Sequence, residues 1–334
     1  MSATLPSSTL ASDQTLPSAD SCPVCGSGGA VPWLLAPDRF HGRKETYQLV
    51  RCMVCPMVWL RNPPKPEEMS YHYGEDYHKL ITAAGEVDAF KRWRIPRNRV
   101  LSMIKGGSLL DLGCSSGAFL GTLKGGSWKL HGIEISPEEA RAAEARSGAQ
   151  VFVGEILDAP FAPNSFDVIT CFHVLEHVYD PPSVVSKVWD WLKPGGFLYI
   201  LIPNIDSLEA RAFRSYWYGL ELPRHLHHFS PISLKKLLSH NHFQEVLVRT
   251  PPDCYVENSI CYVLDDLFSR CGILRRPLAT PRPQPSLLWR IIRKGYRMGI
   301  LWPFRQSAAL IGRGSAIEAI FRKAGAERVG SRHQ

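Results

Sequence analysis

Residues 108–120 read SLLDLGCSSGAFL. An apolar run closes on Asp111, the chain turns between Gly113 and Gly117, and Ala118-Phe119-Leu120 starts a helix. Glycines at such a turn let a ligand come close to the backbone where a strand hands over to a helix. A nicotinamide fingerprint would need glycine at the positions of Ser115 and Ala118, and neither is one. The next apolar run ends in HGIEIS, placing Glu134 21 residues beyond Gly113. There an acidic side chain can hold both hydroxyls of a ribose.

Strand and helix patterns alternate outward from this point. Strands are expected at 108–112, 129–135, 150–153, 166–171, 196–202, 243–249 and 315–322, and helices at 117–124, 137–147, 181–192 and 231–240. Strands separated by helices of this length predict an α/β fold with a doubly wound, Rossmann-like, mostly parallel sheet. Ligands of such sheets sit at the carboxyl ends of the strands, so Asn204, after the fifth strand, is expected to face the reaction cleft.

Upstream, residues 1–20 are rich in Ser, Thr, Ala and Pro without a period and read as a disordered tail. Cys22 and Cys25 lie in CPVCG, Cys52 and Cys55 in CMVCP, and five further cysteines are scattered. Two CxxC pairs without a secretion signal predict one tetrahedral structural Zn²⁺ and a small zinc-ribbon module over 21–61. The Pro-rich NPPKPEE ends that module. Residues 62–105 read as a linker with a helix from 88 to 105, and Tyr71, Tyr73 and Tyr77 form either a lid or a packing cluster.

Charge is unevenly placed. Residues 250–334 carry 14 of the 39 Lys/Arg but only 6 of the 31 Asp/Glu, so the rest of the chain is neutral. A nucleic-acid enzyme is expected to spread cations around its cleft, so nucleic acid is disfavoured as a partner. Residues 251–312 read as a helical insertion after the 106–250 core, with the final strand and tail at 313–334. In LLWRIIRKGYRMGILWPF, Arg290, Arg293, Lys294 and Arg297 fall on one helical face, opposite Leu288, Trp289, Ile292, Tyr296 and Met298. This predicts either peripheral membrane contact through 286–304 or a helix packed on the core with its charges in water. No stretch reaches the roughly 18 apolar residues of a membrane span, and no signal core opens the chain, so a cytoplasmic protein is expected.

In order along the chain, DLGCSSGAFL, GIEIS, GEILDAPFAPNSFDVI, CFHVLEHVYDP and LKPGGFLYILIPN resemble the motifs of class I S-adenosylmethionine-dependent methyltransferases. The paired CxxC motifs followed by a Tyr-rich segment are similar to zinc-containing sugar C-methyltransferases, although Pro56 stands where such knuckles often have glycine. The resemblance implies that Asp111 faces the cofactor's ammonium and that the turn from Gly113 to Gly117 runs beneath its methionine part. It further implies that Glu134 holds the ribose, Glu155 the adenine amino group and the Ile156 backbone the ring. His173 resembles a position near the cofactor, while His177 reads as a turn residue.

PRHLHHFSP, residues 223–231, places three histidines within four residues at the rim expected for a methyl acceptor. In an extended loop His225 and His227 would face one way and His228 the other, so no metal site is expected from this stretch. The segment resembles the EHxxYFS stretch of sugar C-methyltransferases, which makes His225 the candidate general base, with Arg224 in place of the acid. His228 is expected to pack or to contact substrate. Three classes of function follow: a methyltransferase for an oxygen or carbon of a small-molecule, sugar or lipid-linked acceptor, a zinc-containing RNA methyltransferase, or a non-catalytic cofactor-binding protein. Co-purifying RNA would mark the second, and tight cofactor binding without turnover the third.

Overall fold

The computed structural model describes residues 21–73, 89–253, 255–271, 295, 299 and 301–325. Its strands are β1 (Ala30–Pro37), β2 (Thr46–Cys52), β3 (Val58–Leu60), β4 (Gly106–Leu112), β5 (Ser127–Glu134), β6 (Gln150–Val153), β7 (Phe166–Phe172), β8 (Leu192–Pro203), β9 (His227–His228), β10 (Phe243–Arg249) and β11 (Ala316–Lys323). Seven of them form one sheet in the order β10-β11-β8-β7-β4-β5-β6. The strands from β6 to β8 pair in parallel, and β11 runs antiparallel between β8 and β10. This is the doubly wound, Rossmann-like fold expected, with every predicted core strand in place to within a few residues.

The central strands are apolar on both faces, as strands covered by helices on each side must be. Leu109, Leu110 and Leu112 of β4 and Val168, Ile169 and Cys171 of β7 are all buried. Helices form where their caps specify them. Ser136 accepts from the Glu139 amide ahead of Pro137–Ser147, and Asp180 accepts from the Ser183 amide ahead of Pro181–Trp191. Ser230 caps Pro231–Ser239 with Pro231 in the first turn, as its sequence predicts. One predicted helix is shorter than expected: 117–124 contracts to Ala118–Gly121 before looser turns.

The N-terminal module is not a separate bead. Its strands β1, β2 and β3 form a second sheet whose fourth strand is β9, so His227 pairs with Trp59 and His228 with Val58. Part of PRHLHHFSP, read from sequence as catalytic-rim loop, is therefore an edge strand of the module's sheet. Arg224 ties the same surfaces together. Fully buried, its guanidinium reaches both oxygens of the fully buried Asp38 at 3.5 Å and the His72 carbonyl at 2.8 Å. Glu221 at 3.4 Å also faces this guanidinium, and His41 and Arg43 face Asp38 at 3.0 and 3.9 Å.

In the C-terminal insertion, the helix Tyr255–Arg270 is anchored by Ser259, which accepts from the Tyr218 amide at 2.9 Å, and by Asp266, which accepts from the Tyr216 hydroxyl at 2.8 Å. The helix Trp302–Leu310 leaves Trp302, Phe304 and Leu310 exposed. Arg290, Arg293, Lys294 and Arg297 lie outside the described residues, as does Tyr77. Among the described residues no helix is long and apolar enough to cross a membrane.

Candidate active site

At the carboxyl end of β4 the chain takes the turn its glycines predict. Gly113 has φ 61°, and a side chain there would meet Val174 Cγ2 at 2.6 Å, so the turn stays bare. Gly117, at φ 70°, serves packing instead: a Cβ would strike the Ala143 backbone at 2.7 Å. Ser115, between them, is held at φ 45°, a left-handed conformation that costs a non-glycine residue energy and persists only when neighbours fix it. Here the neighbour is Glu134, whose two carboxylate oxygens accept the Ser115 and Ser136 amides at 2.9 Å each. Those oxygens retain lone pairs for further donors.

Asp111 is buried beside this turn and accepts the Thr170 hydroxyl at 2.6 Å. Burial drives its pKa up to about 7, with the Glu134 charge adding to the rise and Thr170 opposing it. Such a carboxyl suits a cationic ligand, which would favour its charged form. Beyond Glu134, Ile135 is 61% exposed and Val153, at the end of β6, is 45% exposed. Two large apolar side chains bared at adjacent strand ends offer a platform for a flat ring. Sequence reading missed both, although an apolar residue just past a strand end is the signal. Glu155 follows as an exposed rim residue, and Ile156 is buried at the start of a short turn, Ile156–Asp158.

His173, immediately after β7, also has a left-handed backbone, at φ 56°. Its Nδ1 lies 3.4 Å from Glu176 Oε1. Burial works against its protonation, but Glu176 outweighs this and raises its pKa. Asn204 differs from its expected place. It is 0% exposed, donates to the Gly314 carbonyl at 2.8 Å and accepts the Asp206 amide at 3.0 Å. Its amide is consumed in holding the turn after β8, so it does not line a cleft.

The histidine stretch is stitched to the loop after β7, because the Leu226 and His227 amides both donate to the Glu176 carbonyl, at 2.8 and 3.1 Å. His225 sits in a turn before β9, its amide bonded to the Glu221 carbonyl. The strict alternation expected of an extended loop therefore fails, and the His225 ring comes to 6.3 Å from that of His228 and 4.6 Å from that of His177. Tyr73 closes the group, its hydroxyl 3.2 Å from His177 Nδ1. His177, read as a turn residue, thus joins the cluster through contacts distant in sequence.

His225 Nδ1 lies 2.9 Å from the Gly219 carbonyl, which can only accept, so the hydrogen is on Nδ1 and the lone pair on Nε2. Burial lowers its pKa well below the ordinary value, His177 and His228 adding to the effect and Arg224 contributing least. Arg224 acts in the same direction, and its guanidinium is paired with both Asp38 and Glu221. His228 donates from Nε2 to the Leu220 carbonyl at 3.1 Å and is 3% exposed in β9, set about as deep as His225 at 5%.

Cys22, Cys25, Cys52 and Cys55 converge, all four Sγ atoms within 4.8 Å of one another. Cys22–Cys55, Cys25–Cys52 and Cys25–Cys55 stand 3.4, 3.5 and 3.5 Å apart, close to the edge of a tetrahedron with metal–sulfur bonds of about 2.3 Å. The Val54 and Cys55 amides both donate to Cys52 Sγ at 3.3 Å, as they would to a thiolate. The donor set fits a closed, four-sulfur metal site.

Residues 87–248 match the family model described as a methyltransferase domain. The chain is 32% identical over 138 residues to a ubiquinone biosynthesis O-methyltransferase of Ralstonia nicotianae, covering 38% of this chain and 57% of the relative. It is 33% identical over 137 residues to the enzyme of that name from Xanthomonas euvesicatoria, covering 38% and 56%. The chain thus spans little more than half the length of these relatives. Among solved structures, the phosphoethanolamine N-methyltransferase 2 of Haemonchus contortus in complex with S-adenosyl-L-methionine shares the fold at a TM-score of 0.51 and 14% identity, covering 80% of this chain and 62% of that one. The glycine turn, the two strand-end carboxylates and the Rossmann-like sheet order accord with the methyltransferase domain that residues 87–248 match.

Proposed function

We propose that the whole chain transfers a methyl group from S-adenosylmethionine to an oxygen or carbon of a small-molecule, sugar or lipid-linked acceptor, with His225 as general base. The observation that carries this reading is the His225 imidazole: neutral, anchored through Nδ1, with its lone pair left on Nε2. When bound, the cofactor supplies an already activated methyl group. His225 Nε2 takes the acceptor's O–H or acidic C–H proton as the new bond to the methyl carbon forms and the sulfur–methyl bond breaks. Asp111 and the turn from Gly113 to Gly117 receive the amino-acid end, Glu134 the ribose, and Glu155 with the Ile156 backbone the adenine. His173 lies near the methyl-bearing end. A structural zinc on Cys22, Cys25, Cys52 and Cys55 holds the module.

Glu134→Ala is expected to weaken S-adenosylmethionine binding roughly 10- to 100-fold, since a charge-assisted hydrogen bond is worth about 1.5–3 kcal/mol. Unchanged affinity in a calorimetric titration would remove Glu134 from the cofactor site. The basic excess of residues 250–334 and the exposed Trp302 and Phe304 support peripheral membrane contact through 286–304. Wild type is then expected to sediment with anionic vesicles, less so at high salt, and Trp289→Glu or Arg293→Glu to stay in solution. Equal absence of binding in all three would return the acceptor to the aqueous pool. An RNA acceptor is the weaker reading, because the chain outside residues 250–334 carries no net charge with which to hold phosphates.

A further inference from the structure

Glu176, on the loop after β7, is 1% exposed, and among the described residues neither of its carboxylate oxygens has a hydrogen-bond partner. His173 Nδ1 stands at salt-bridge range, 3.4 Å from Oε1. Burying a carboxylate this way is costly unless something compensates it. Ligand atoms of Glu176, His177 and His225 lie within 4.8 Å of one another.

The two imidazoles are supported alike. His177 Nδ1 lies 3.0 Å from the Arg224 carbonyl, and His225 Nδ1 lies 2.9 Å from the Gly219 carbonyl. Each Nδ1 therefore carries the hydrogen, and each Nε2 has a lone pair. A backbone carbonyl fixing the far nitrogen is the outer support that metal-binding histidines have. A second carboxylate oxygen, Glu221 Oε2, stands 3.6 Å from His225 Nε2, so negative charge faces that lone pair as well.

We propose that Glu176, His177 and His225 form a divalent-cation site separate from the cysteine tetrad. Two imidazoles and a carboxylate form an N/O donor set with open positions, suited to Mn²⁺ or Fe²⁺ rather than to a thiolate-seeking ion. Only His225 comes from the histidine stretch, and its partners arrive from another loop, which is why the stretch alone gives no metal signature. The proposal rests on the reading of His225 as base in one respect: the cation takes the same Nε2 lone pair that would accept the acceptor's proton. Occupancy therefore arrests methyl transfer, and the site acts as a brake set by the cation.

The test adds Mn²⁺ to the zinc-loaded full chain and follows the free-ion signal by electron paramagnetic resonance. Wild type is expected to remove one equivalent, and Glu176→Gln and His177→Asn to bind at least about 10-fold more weakly. All three should keep their cysteine-bound zinc by elemental analysis, which reports that the fold is intact. Wild type that leaves Mn²⁺ free, or variants that bind it as tightly as wild type, would overturn the site. Binding that leaves turnover unchanged would overturn the brake. Loss of turnover in His225→Ala with no Mn²⁺ binding by wild type would remove the cation site while leaving the base in place.

Discussion

Cys52→Ser is expected to strip the chain of its zinc and to loosen the acceptor side of the active site with it. Cys52 closes β2, and the tetrad to which it belongs is the module's tightest knot. Apparent binding energies of structural zinc, about 10–16 kcal/mol, match or exceed the roughly 5–15 kcal/mol that holds an ordinary domain together. Losing the ion should therefore unfold residues 21–61. Damage would not stop there, because β3 pairs with β9 and β9 continues from the turn that holds His225. The cofactor side, built on β4, β5 and β6, has no strand in that second sheet. Elemental analysis should show near one zinc per wild-type chain and almost none in the variant. Proteolysis should then cut the module and the 214–230 segment, while S-adenosylmethionine affinity stays within a few-fold. A wild type that is folded and metal-free would refute the zinc site.

His225→Ala should reduce turnover by about 100-fold or more and leave cofactor affinity intact, the pattern of a lost general base. The pH profile sharpens this. Burial lowers the pKa of His225 well below the ordinary histidine value, so its lone pair is free across the neutral range. At saturating S-adenosylmethionine, whose ammonium would hold Asp111 charged, wild-type turnover should stay flat through neutral pH and fall only in acid, as the His225 ring becomes protonated. The neighbouring His227 and His228, lowered to about 3 and about 4 by burial, add no titration near pH 7. Activity that survives the substitution would make the cluster structural.

The sheet was legible because both signals that encode it are local. Apolar runs set β4, β5, β7 and β8, and cap residues such as Ser136, Asp180 and Ser230 set the helices between them. The glycine turn and Glu134 were legible for the same reason. What could not be read was which segments meet. Nothing near His227 announces that it pairs with Trp59, 168 positions earlier, and β3 and β9 are only three and two residues long. His177 reaches the Arg224 carbonyl and the Arg224 guanidinium reaches Asp38, both long-range contacts. Asn204 shows the converse error. Topology put it at the correct strand end, but its amide turns inward to Gly314, a partner contributed by the chain just before β11.

The central claim is methyl transfer to a small acceptor at a site completed by His225. It is tested most directly by incubating zinc-loaded protein with methyl-labelled S-adenosylmethionine, a metabolite and lipid extract, and RNA, and following the label by mass spectrometry. The account predicts label in a low-mass or lipid-linked product with wild type and its loss with His225→Ala. Label in the RNA fraction, or equal labelling by wild type and His225→Ala, would contradict it.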